Sequence, residues 1–323
     1  MAHVVSVAFV FPGQGSQYVG MGRALIDVSP SAADVFAEAD EALGEPISGL
    51  TFDGPEDALN LTVNAQPAIL ATSIAYLAAL EERSGSVVPA FYAGHSMGQY
   101  SAMVAADVIS LADGMRLVRE RGKQMQGSAE GGAMAAIIGL PDEQIAALVR
   151  AGEAVGSFTV ANRNSPGQIV VSGERAAVER ACEVAKELGA KRAIVLPVSV
   201  AAHSSLMNRA AQGMRQVLAA IEFGDPRAPL LANADAAPLT TGEACRAELV
   251  EHLTRGVDWI KAVETMSSAG ITQFVEVGPG KVLTGLIKRI APETEGFATD
   301  DQAAEGRLAV PPFLTASPAG ATS

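Results

Sequence analysis

Residues 93–100 read AGHSMGQY, and the rest of the chain can be arranged around this stretch. It contains Gly-x-Ser-x-Gly, a pattern typical of a serine on a sharp turn between a strand and a helix. A short apolar run of strand length precedes it at residues 89–93, and a helix-favouring run of small residues follows at 99–106. Glycine at positions 94 and 98 lets these two elements pass close together. We therefore interpret Ser96 as a nucleophile; the alternative is an ordinary glycine-rich turn before a helix.

The order of the predicted elements indicates an α/β fold with an inserted subdomain. The first strand, at residues 3–11, is apolar and β-branched and ends in a glycine-rich loop. Between about residues 128 and 200 the pattern becomes β-α-β-β-α-β, the order of a ferredoxin-like unit. We predict an α/β-hydrolase-like catalytic domain at 1–127 and 201–291, a ferredoxin-like subdomain at 128–200, and a loosely ordered, acidic, Pro/Ala-rich tail at 292–323.

Bulk composition argues against several classes of function. The chain has 323 residues, of which 49% are hydrophobic, and a formal net charge of -13. This charge disfavours nucleic acid and anionic membranes as partners. No apolar run reaches transmembrane length and no secretory signal is evident. Two cysteines without paired spacing and four scattered histidines disfavour disulfides and metal sites. We expect a cytoplasmic protein without a bound metal.

A serine nucleophile needs a base, and three histidines are candidates. His95 adjoins Ser96, and because neighbouring side chains on a tight turn diverge, it is expected to pack or to fix the turn. His252 lies inside a helical run, where a surface or core role is commoner. His203 follows a strand on a loop before a helix, where α/β folds display catalytic groups. We predict His203 as the base, against a locally bonded helix-entry residue, and expect a backbone carbonyl to orient its ring.

One arginine interrupts an apolar helix face. In a helix predicted from about residue 111 to 126, Arg121 shares a stripe with Leu117, Val118 and Met125. A buried arginine needs a partner, and no carboxylate of this helix lies on the same stripe. A ligand carboxylate and a structural salt bridge are equal alternatives from the residues alone.

Six motifs occur in a fixed order along the chain. They are FPGQGSQ at 11–17, GHSMG at 94–98, RGKQM at 121–125, NRNSPGQ at 162–168, VSVAAHSSLM at 198–207 and EVGPGKVL at 276–283. Together they resemble the malonyl-CoA:acyl carrier protein transacylases, the acyltransferase family of fatty-acid and polyketide synthesis. The resemblance extends from about residue 5 to residue 290.

This resemblance implies a ping-pong acyl transfer through a Ser96 acyl-enzyme, with His203 as the base. The acyl group would pass from malonyl-CoA to the phosphopantetheine thiol of acyl carrier protein. The resemblance also implies two backbone amides of an oxyanion hole, a side chain gripping the malonyl carboxylate, two residues lining the acyl pocket and a carbonyl that orients the base. The oxyanion-hole amides would be those of Gln14 and Met97, and Arg121 would grip the carboxylate. Gln66 and Met125 would line the acyl pocket. The carbonyl of Asp258 would orient the base.

No cofactor is implied, because coenzyme A and phosphopantetheine arrive with the substrates. Acyl carrier protein is acidic, so basic residues are expected to dock it. The candidates are Lys191, Arg192, Lys281, Lys288 and Arg289. We expect a free-standing monomer.

The chain departs from the family pattern at several positions. Gln99 stands where a glutamate is usual, Met97 replaces a commoner leucine or valine, and residues 255–256 replace a common proline. Ala201 and Ala202 precede the predicted base, which leaves another extender unit, such as methylmalonyl, as an alternative. Two further alternatives are an acyl hydrolase acting on acyl carrier protein, which should lack the arginine, and a carrier-protein-binding module with a vestigial pocket.

Overall fold

The computed structural model describes residues 3–128, 131–198, 200–303, 310–311 and 314. Its strands are β1 (His3–Phe11), β2 (Val87–Gly94), β3 (Gly132–Ile138), β4 (Phe158–Ser165), β5 (Gln168–Glu174), β6 (Arg192–Val195), β7 (Leu230–Leu231), β8 (Pro238–Leu239), β9 (Val257–Asp258), β10 (Gln273–Glu276) and β11 (Glu295–Ala298). Its helices are α1 (Arg23–Ile26), α2 (Pro30–Leu43), α3 (Ile47–Asp53), α4 (Glu56–Leu59), α5 (Thr62–Ser84), α6 (Gly98–Ala105), α7 (Leu111–Gly127), α8 (Ile145–Glu153), α9 (Arg175–Glu187), α10 (Asn208–Leu218), α11 (Gly242–Arg255), α12 (Trp259–Ser268), α13 (Val282–Ile290) and α14 (Thr299–Ala303). Short 3-10 helices lie at Asp142–Gln144 and Ser205–Met207.

The large sheet places the glycine-rich loop beside the serine turn. Among the described residues, six strands form this sheet in the order β11-β10-β1-β2-β7-β8, all parallel except β8. Strand β1 lies between β10 and β2, and its apolar residues from Val7 onward are buried on both faces. The strand order reverses at β1, so a ligand site is expected at its carboxyl end. There Phe11 pairs with Gly94, the last residue of β2.

The second sheet has the ferredoxin-like order. Within the described ranges its strands run β6-β3-β5-β4-β9, and the pairs β6–β3, β3–β5 and β5–β4 are antiparallel. Helices α8 and α9 occupy the two helical positions of the predicted β-α-β-β-α-β order. The predicted fold class is therefore confirmed. Strand β9 joins this sheet from beyond residue 200, in parallel with β4, and the exact subdomain boundaries stay predictions.

Two long helices pack closely beside the site. Helix α5 is, by length and composition alone, long and apolar enough to cross a membrane, contrary to the expectation from sequence, but 83% of the qualifying window is buried within the fold. Helix α7 crosses it at backbone contact, because a Cβ at Gly122 would lie 2.6 Å from Cα of Val63. This close approach fixes the position of the neighbouring Arg121.

Part of the predicted loose tail is ordered. Strand β11 pairs in parallel with β10, and α14 follows it. The carboxylate of Asp300 accepts hydrogen bonds from the hydroxyls of Tyr18 and Tyr76 and, at 2.7 Å, from the amide of Gly280. The tail prediction was thus wrong for residues 295–303, because an acidic composition does not reveal an edge strand or a carboxylate that accepts from the buried Tyr76 and the partly exposed Tyr18. Residues 304–309, 312–313 and 315–323 lie outside the described part.

We expect Asp300→Ala to lower the free energy of unfolding by about 2–3 kcal/mol, because it leaves the buried hydroxyl of Tyr76 without an acceptor. Denaturant unfolding at neutral pH measures this change. The matched control is Asp301→Ala, which removes a half-exposed ion pair with Lys281 and should cost less than about 0.5 kcal/mol. Equal losses for the two variants would contradict the role given to Asp300.

Candidate active site

Ser96 lies on the turn between β2 and α6, with a φ angle of 54°. This left-handed conformation is uncommon for a residue with a side chain and is typical of functional turns. Both neighbouring glycines are required by close packing. A Cβ at Gly94 would lie 2.1 Å from the carbonyl carbon of Gly98, and a Cβ at Gly98 would lie 2.2 Å from the carbonyl oxygen of Phe11. The strand–turn–helix geometry predicted for this stretch is confirmed.

Two buried amide side chains hold the turn, and sequence reasoning assigned neither this role. Asn233 accepts the amide hydrogen of Ser96 at 2.8 Å through Oδ1 and donates to the carbonyl of Gly94 at 3.0 Å through Nδ2. Gln99 accepts from the amide of Gly94 at 3.1 Å and donates through Nε2 to the carbonyl of Leu231 at 2.9 Å. The second bond needs a donor that a carboxylate lacks, which fits the glutamine at this position.

Ser96 and His203 come together from distant parts of the chain. Oγ of Ser96 lies 2.8 Å from Nε2 of His203, and Nδ1 of His203 lies 2.6 Å from the carbonyl oxygen of His252. Because a carbonyl can only accept, Nδ1 carries the proton and Nε2 is left to accept from the serine hydroxyl. The amide of His203 also donates to the carbonyl of Leu253 at 3.0 Å. This tautomer is the one a general base needs.

The carbonyl that orients His203 belongs to His252, so the prediction of Asp258 is wrong. The last four carbonyls of a helix have no hydrogen-bond partner within it. In α11 the carbonyls of residues 252 and 253 are among these, and both accept from His203. Asp258 is engaged elsewhere. Its amide donates to the carbonyl of Asn233 at 2.7 Å, and its carboxylate accepts from the amide of Lys261 at the start of α12.

The other two candidate histidines have supporting positions. Nε2 of His95 lies 2.9 Å from Oδ1 of Asn164, on the ferredoxin-like sheet, and its ring packs near Trp259. His95 therefore fixes the turn, as predicted. The side chain of His252 is fully buried. Its ring packs edge-on against the ring of His203, with 6.1 Å between the centroids, and its backbone carbonyl accepts from Nδ1 of the base.

The environment of His203 keeps its imidazole neutral. Burial, followed by the charge of Arg121, lowers the pKa of His203 to about 3, although the hydrogen bond to the carbonyl of His252 acts in the opposite direction. A neutral imidazole with Nε2 on the serine hydroxyl can accept the proton at neutral pH.

The rate at which Ser96 reacts with a fluorophosphonate is expected to be constant from about pH 5 to about pH 8. A histidine whose pKa is lowered in the folded protein loses its base function only as the pH falls through that lowered value, about 3 for His203. Initial labelling rates across this range measure the effect, with Ser96→Ala as the unlabelled control. A sigmoidal rise centred near the ordinary value of 6.5 would contradict it.

Arg121 lies in the same site without an acidic partner. It is 1% exposed, and its Nη2 donates to Oγ of Ser96 at 3.3 Å. The guanidinium lies over the ring of Tyr100, 5.8 Å from the centroid, and its Nε has no acceptor among the described residues. Arg116, Arg119 and Lys123 of the same helix pair with carboxylates, whereas no described carboxylate pairs with this one. The salt-bridge alternative therefore lacks a partner, and a ligand carboxylate is the interpretation the structure favours.

The loop after β1 brings the predicted oxyanion-hole residues to the turn. A Cβ at Gly13 would lie 2.5 Å from the carbonyl oxygen of His95, so the loop touches the turn directly. Within the described ranges, the amides of Gln14 and Met97 donate to no protein acceptor. Free amides beside a nucleophile are what oxyanion stabilisation requires. Their catalytic role stays a prediction.

Gln66 and Met125 contact one another across α5 and α7. Nε2 of Gln66 lies 3.5 Å from Sδ of Met125, both side chains are buried, and Oε1 of Gln66 has no partner in the described structure. Met125 follows Arg121 by one helical turn. The lining of an acyl pocket by this pair stays a prediction.

The basic residues expected to dock a carrier protein lie at the start of β6 and along α13 with the lysine that precedes it. Lys281 pairs with a carboxylate of α14 at 3.0 Å, and Arg289 donates to a side-chain oxygen of β5 at 2.6 Å. Arg192 pairs with Ile138 of β3, and Ile138 pairs on its other side with Gln168, the residue that Arg289 contacts. The dock stays a prediction.

Comparison with protein families and known sequences gives a consistent result. A family model described as the acyl transferase domain matches residues 8–304. The malonyl CoA-acyl carrier protein transacylase of Escherichia coli (strain K12) is 47% identical over 299 residues, covering 92% of this chain and 96% of the relative. The protein of the same name from Bacillus subtilis (strain 168) is 43% identical over 298 residues, covering 91% and 93%.

Solved structures are similar over the same extent. The crystal structure of an acyl carrier protein S-malonyltransferase from Vibrio cholerae superposes with a TM-score of 0.88 at 44% identity, covering 91% of this chain and 97% of the other. A second structure, with a TM-score of 0.87 at 44% identity and coverage of 92% and 97%, contains a type II PKS acyl-carrier protein in complex with its malonyl-transacylase. The similarity thus includes both sheets.

Proposed function

The chain belongs to the acyl transferase domain family, and from that membership we propose that it transfers the malonyl group of malonyl-CoA to the phosphopantetheine thiol of an acyl carrier protein. The observation that carries this proposal is a buried guanidinium, that of Arg121, within hydrogen-bond distance of Oγ of Ser96 and without a carboxylate partner in the described structure. An acyl donor with a free carboxylate supplies that partner. Relatives named for malonyl transfer, and one solved with a carrier protein, support the same substrates.

The first half-reaction forms a malonyl-enzyme. Nε2 of His203 takes the hydroxyl proton as Oγ of Ser96 attacks the thioester carbonyl carbon. The carbonyl oxygen becomes an oxyanion facing the amides of Gln14 and Met97, each such donor being worth about 3 kcal/mol. When the tetrahedral intermediate collapses, the C–S bond breaks and the proton held on Nε2 passes to the departing sulfur. Coenzyme A therefore leaves as the thiol, and Nε2 is free to accept again.

The second half-reaction runs the same steps in reverse. The phosphopantetheine thiol gives its proton to Nε2 of His203 and attacks the malonyl ester. The ester C–O bond then breaks, and Oγ of Ser96 takes the proton back. Both thiols must approach the same imidazole nitrogen and the same acyl carbon. Coenzyme A must therefore leave before the phosphopantetheine arm of the carrier protein enters.

The Arg121 guanidinium supports transfer over hydrolysis. A bidentate pair between the guanidinium and the malonyl carboxylate fixes the orientation of the malonyl group and also neutralises its charge. A hydrolase of uncharged acyl chains would have no use for a buried cation beside its nucleophile. The same cation argues against a vestigial pocket, since burying an unpaired charge costs stability.

The remaining properties are part of the same proposal. The nucleophile, the base and the oxyanion donors all belong to the chain, so the transfer is proposed to need no bound metal or cofactor. The protein is proposed to act in the cytoplasm as a monomer, with malonyl-CoA and holo acyl carrier protein as its two substrates. Activity that survives dialysis against a chelator, and a mass in solution equal to that of one chain, would test these points.

Incubation with radiolabelled malonyl-CoA tests the function directly. Without a carrier protein, label should accumulate on Ser96 up to one equivalent, and holo acyl carrier protein should then remove it as a thioester. Apo carrier protein, which lacks the thiol, is the matched control and should leave the label in place. Release of free malonate at the rate of coenzyme A release would indicate a hydrolase, and a chain that takes no label would indicate a binding module.

A further inference from the structure

We propose that Glu248 is a positioning residue, which sets the relative placement of Ser96 and His203 although it touches neither. This inference concerns the same site as the proposed function and rests on Ser96 being its nucleophile. It does not depend on which acyl group is transferred.

The first link runs from Glu248 to the nucleophile. Glu248 is 4% exposed on α11, and its Oε1 accepts the amide hydrogen of Asn233 at 2.7 Å. The side chain of Asn233 in turn bonds to both the amide of Ser96 and the carbonyl of Gly94. These bonds hold the serine in its left-handed conformation. Because Asn233 is 3% exposed, water cannot readily replace Glu248 as the acceptor of its amide.

The second link runs from the same helix to the base. One turn after Glu248, the carbonyl of His252 accepts from Nδ1 of His203, and that of Leu253 accepts from its amide. Helix α11 therefore carries both the support of the base and the carboxylate that leads to the nucleophile. The position of α11 relative to Asn233 fixes the 2.8 Å contact between Oγ of Ser96 and Nε2 of His203.

The choice of a carboxylate favours positioning over packing. Burial raises the pKa of Glu248 to about 7, so the charged side chain opposes folding at higher pH. The nearest cationic candidate, His252, is 4.0 Å away through Nδ1, and burial holds its pKa well below the ordinary value. Stability alone would be served by an apolar residue. A buried acceptor that carries this cost is typical of residues serving function.

The test compares Glu248→Met, which fills similar space without an acceptor, with Glu248→Gln, whose Oε1 can still accept. We expect the methionine variant to lower both kcat for malonyl transfer and the rate of Ser96 labelling by a fluorophosphonate about tenfold or more. The KM for malonyl-CoA should be unchanged, because Glu248 does not reach the acyl pocket. The glutamine variant should retain both rates within about twofold. Glu251→Ala, on the exposed side of α11, is the matched control and should change neither.

Wild-type labelling and kcat in a folded methionine variant would overturn the proposal, as would equal losses in the methionine and glutamine variants. If Glu248→Met does not fold, Glu248→Asp takes its place, since it withdraws the carboxylate by one methylene. Labelling slowed severalfold would then support positioning, and an unchanged rate would overturn it. Fluorophosphonate labelling needs no malonyl group or carrier protein, so this outcome is independent of whether the proposed transfer is correct.

Discussion

His203→Ala is expected to lower kcat for malonyl transfer by about 10³-fold to 10⁴-fold while leaving the fold intact. The imidazole takes the proton from Ser96 and returns it to the leaving thiolate, so both half-reactions lose their proton carrier. The KM for malonyl-CoA should change little, because no acyl contact is removed. Steady-state kinetics, together with the amplitude of malonyl-enzyme formation, would measure the loss.

The matched control for this prediction is a second buried histidine. His252 hydrogen-bonds to the base through its backbone carbonyl, and that carbonyl survives any substitution of the side chain. Its ring packs edge-on against the ring of His203, but its ring nitrogens hydrogen-bond to no described residue. His252→Gln should therefore retain kcat within about fivefold. If the glutamine variant were as inactive as His203→Ala, the imidazole of His252 would have to take part in proton transfer, and the roles assigned to the two histidines would be wrong.

Arg121→Ala should lower kcat/KM for malonyl-CoA by about 10²-fold to 10³-fold, which lies within the roughly 2–5 kcal/mol lost when one partner of a buried charge pair is removed. For acetyl-CoA, which has no free carboxylate, kcat/KM should hold or rise. The ratio of the two values measures the switch in preference. It is more informative than either rate, because a general loss of folded protein would lower both equally.

Arg119→Ala is the control for removing an arginine from the same helix. Arg119 donates to the carbonyl of Val63 and to the side chain of Asn64, and pairs with Glu45, so its loss should reduce stability without altering the acyl preference. An Arg121→Ala variant with an unchanged malonyl-to-acetyl ratio would contradict the carboxylate role. It would also remove the observation on which the proposed function depends.

Local chemistry made part of the site predictable. Ser96 was identified because glycine on either side of it, at positions 94 and 98, indicates a backbone approach too close for a side chain. The fold contains these close approaches. Arg121 was identified because an apolar helix face is expected to be buried, and burying a charged side chain there requires a partner for the charge. His203 was chosen from its place on a loop, and the structure sets its ring against the serine hydroxyl.

The parts that sequence reasoning missed act through the backbone or through long-range contacts. The base is supported by a backbone carbonyl, so the identity of the side chain at position 252 does not indicate this role. The position of that carbonyl depends on where α11 ends. The roles of Asn233 and Glu248 depend on pairing between segments separated by 137 and 15 positions. Strand β11 was missed because edge pairing to β10 does not require an apolar segment.

That outermost strand limits how the protein can be shortened for laboratory use. The six motifs end before residue 291, and a designer guided by them would cut the gene there. Such a cut removes β11 and leaves β10 with one side of its main chain unpaired. Exposed strands of this kind recruit strands from other molecules. Expression designs should therefore extend past Ala303, even though no described residue after 290 belongs to the reaction centre.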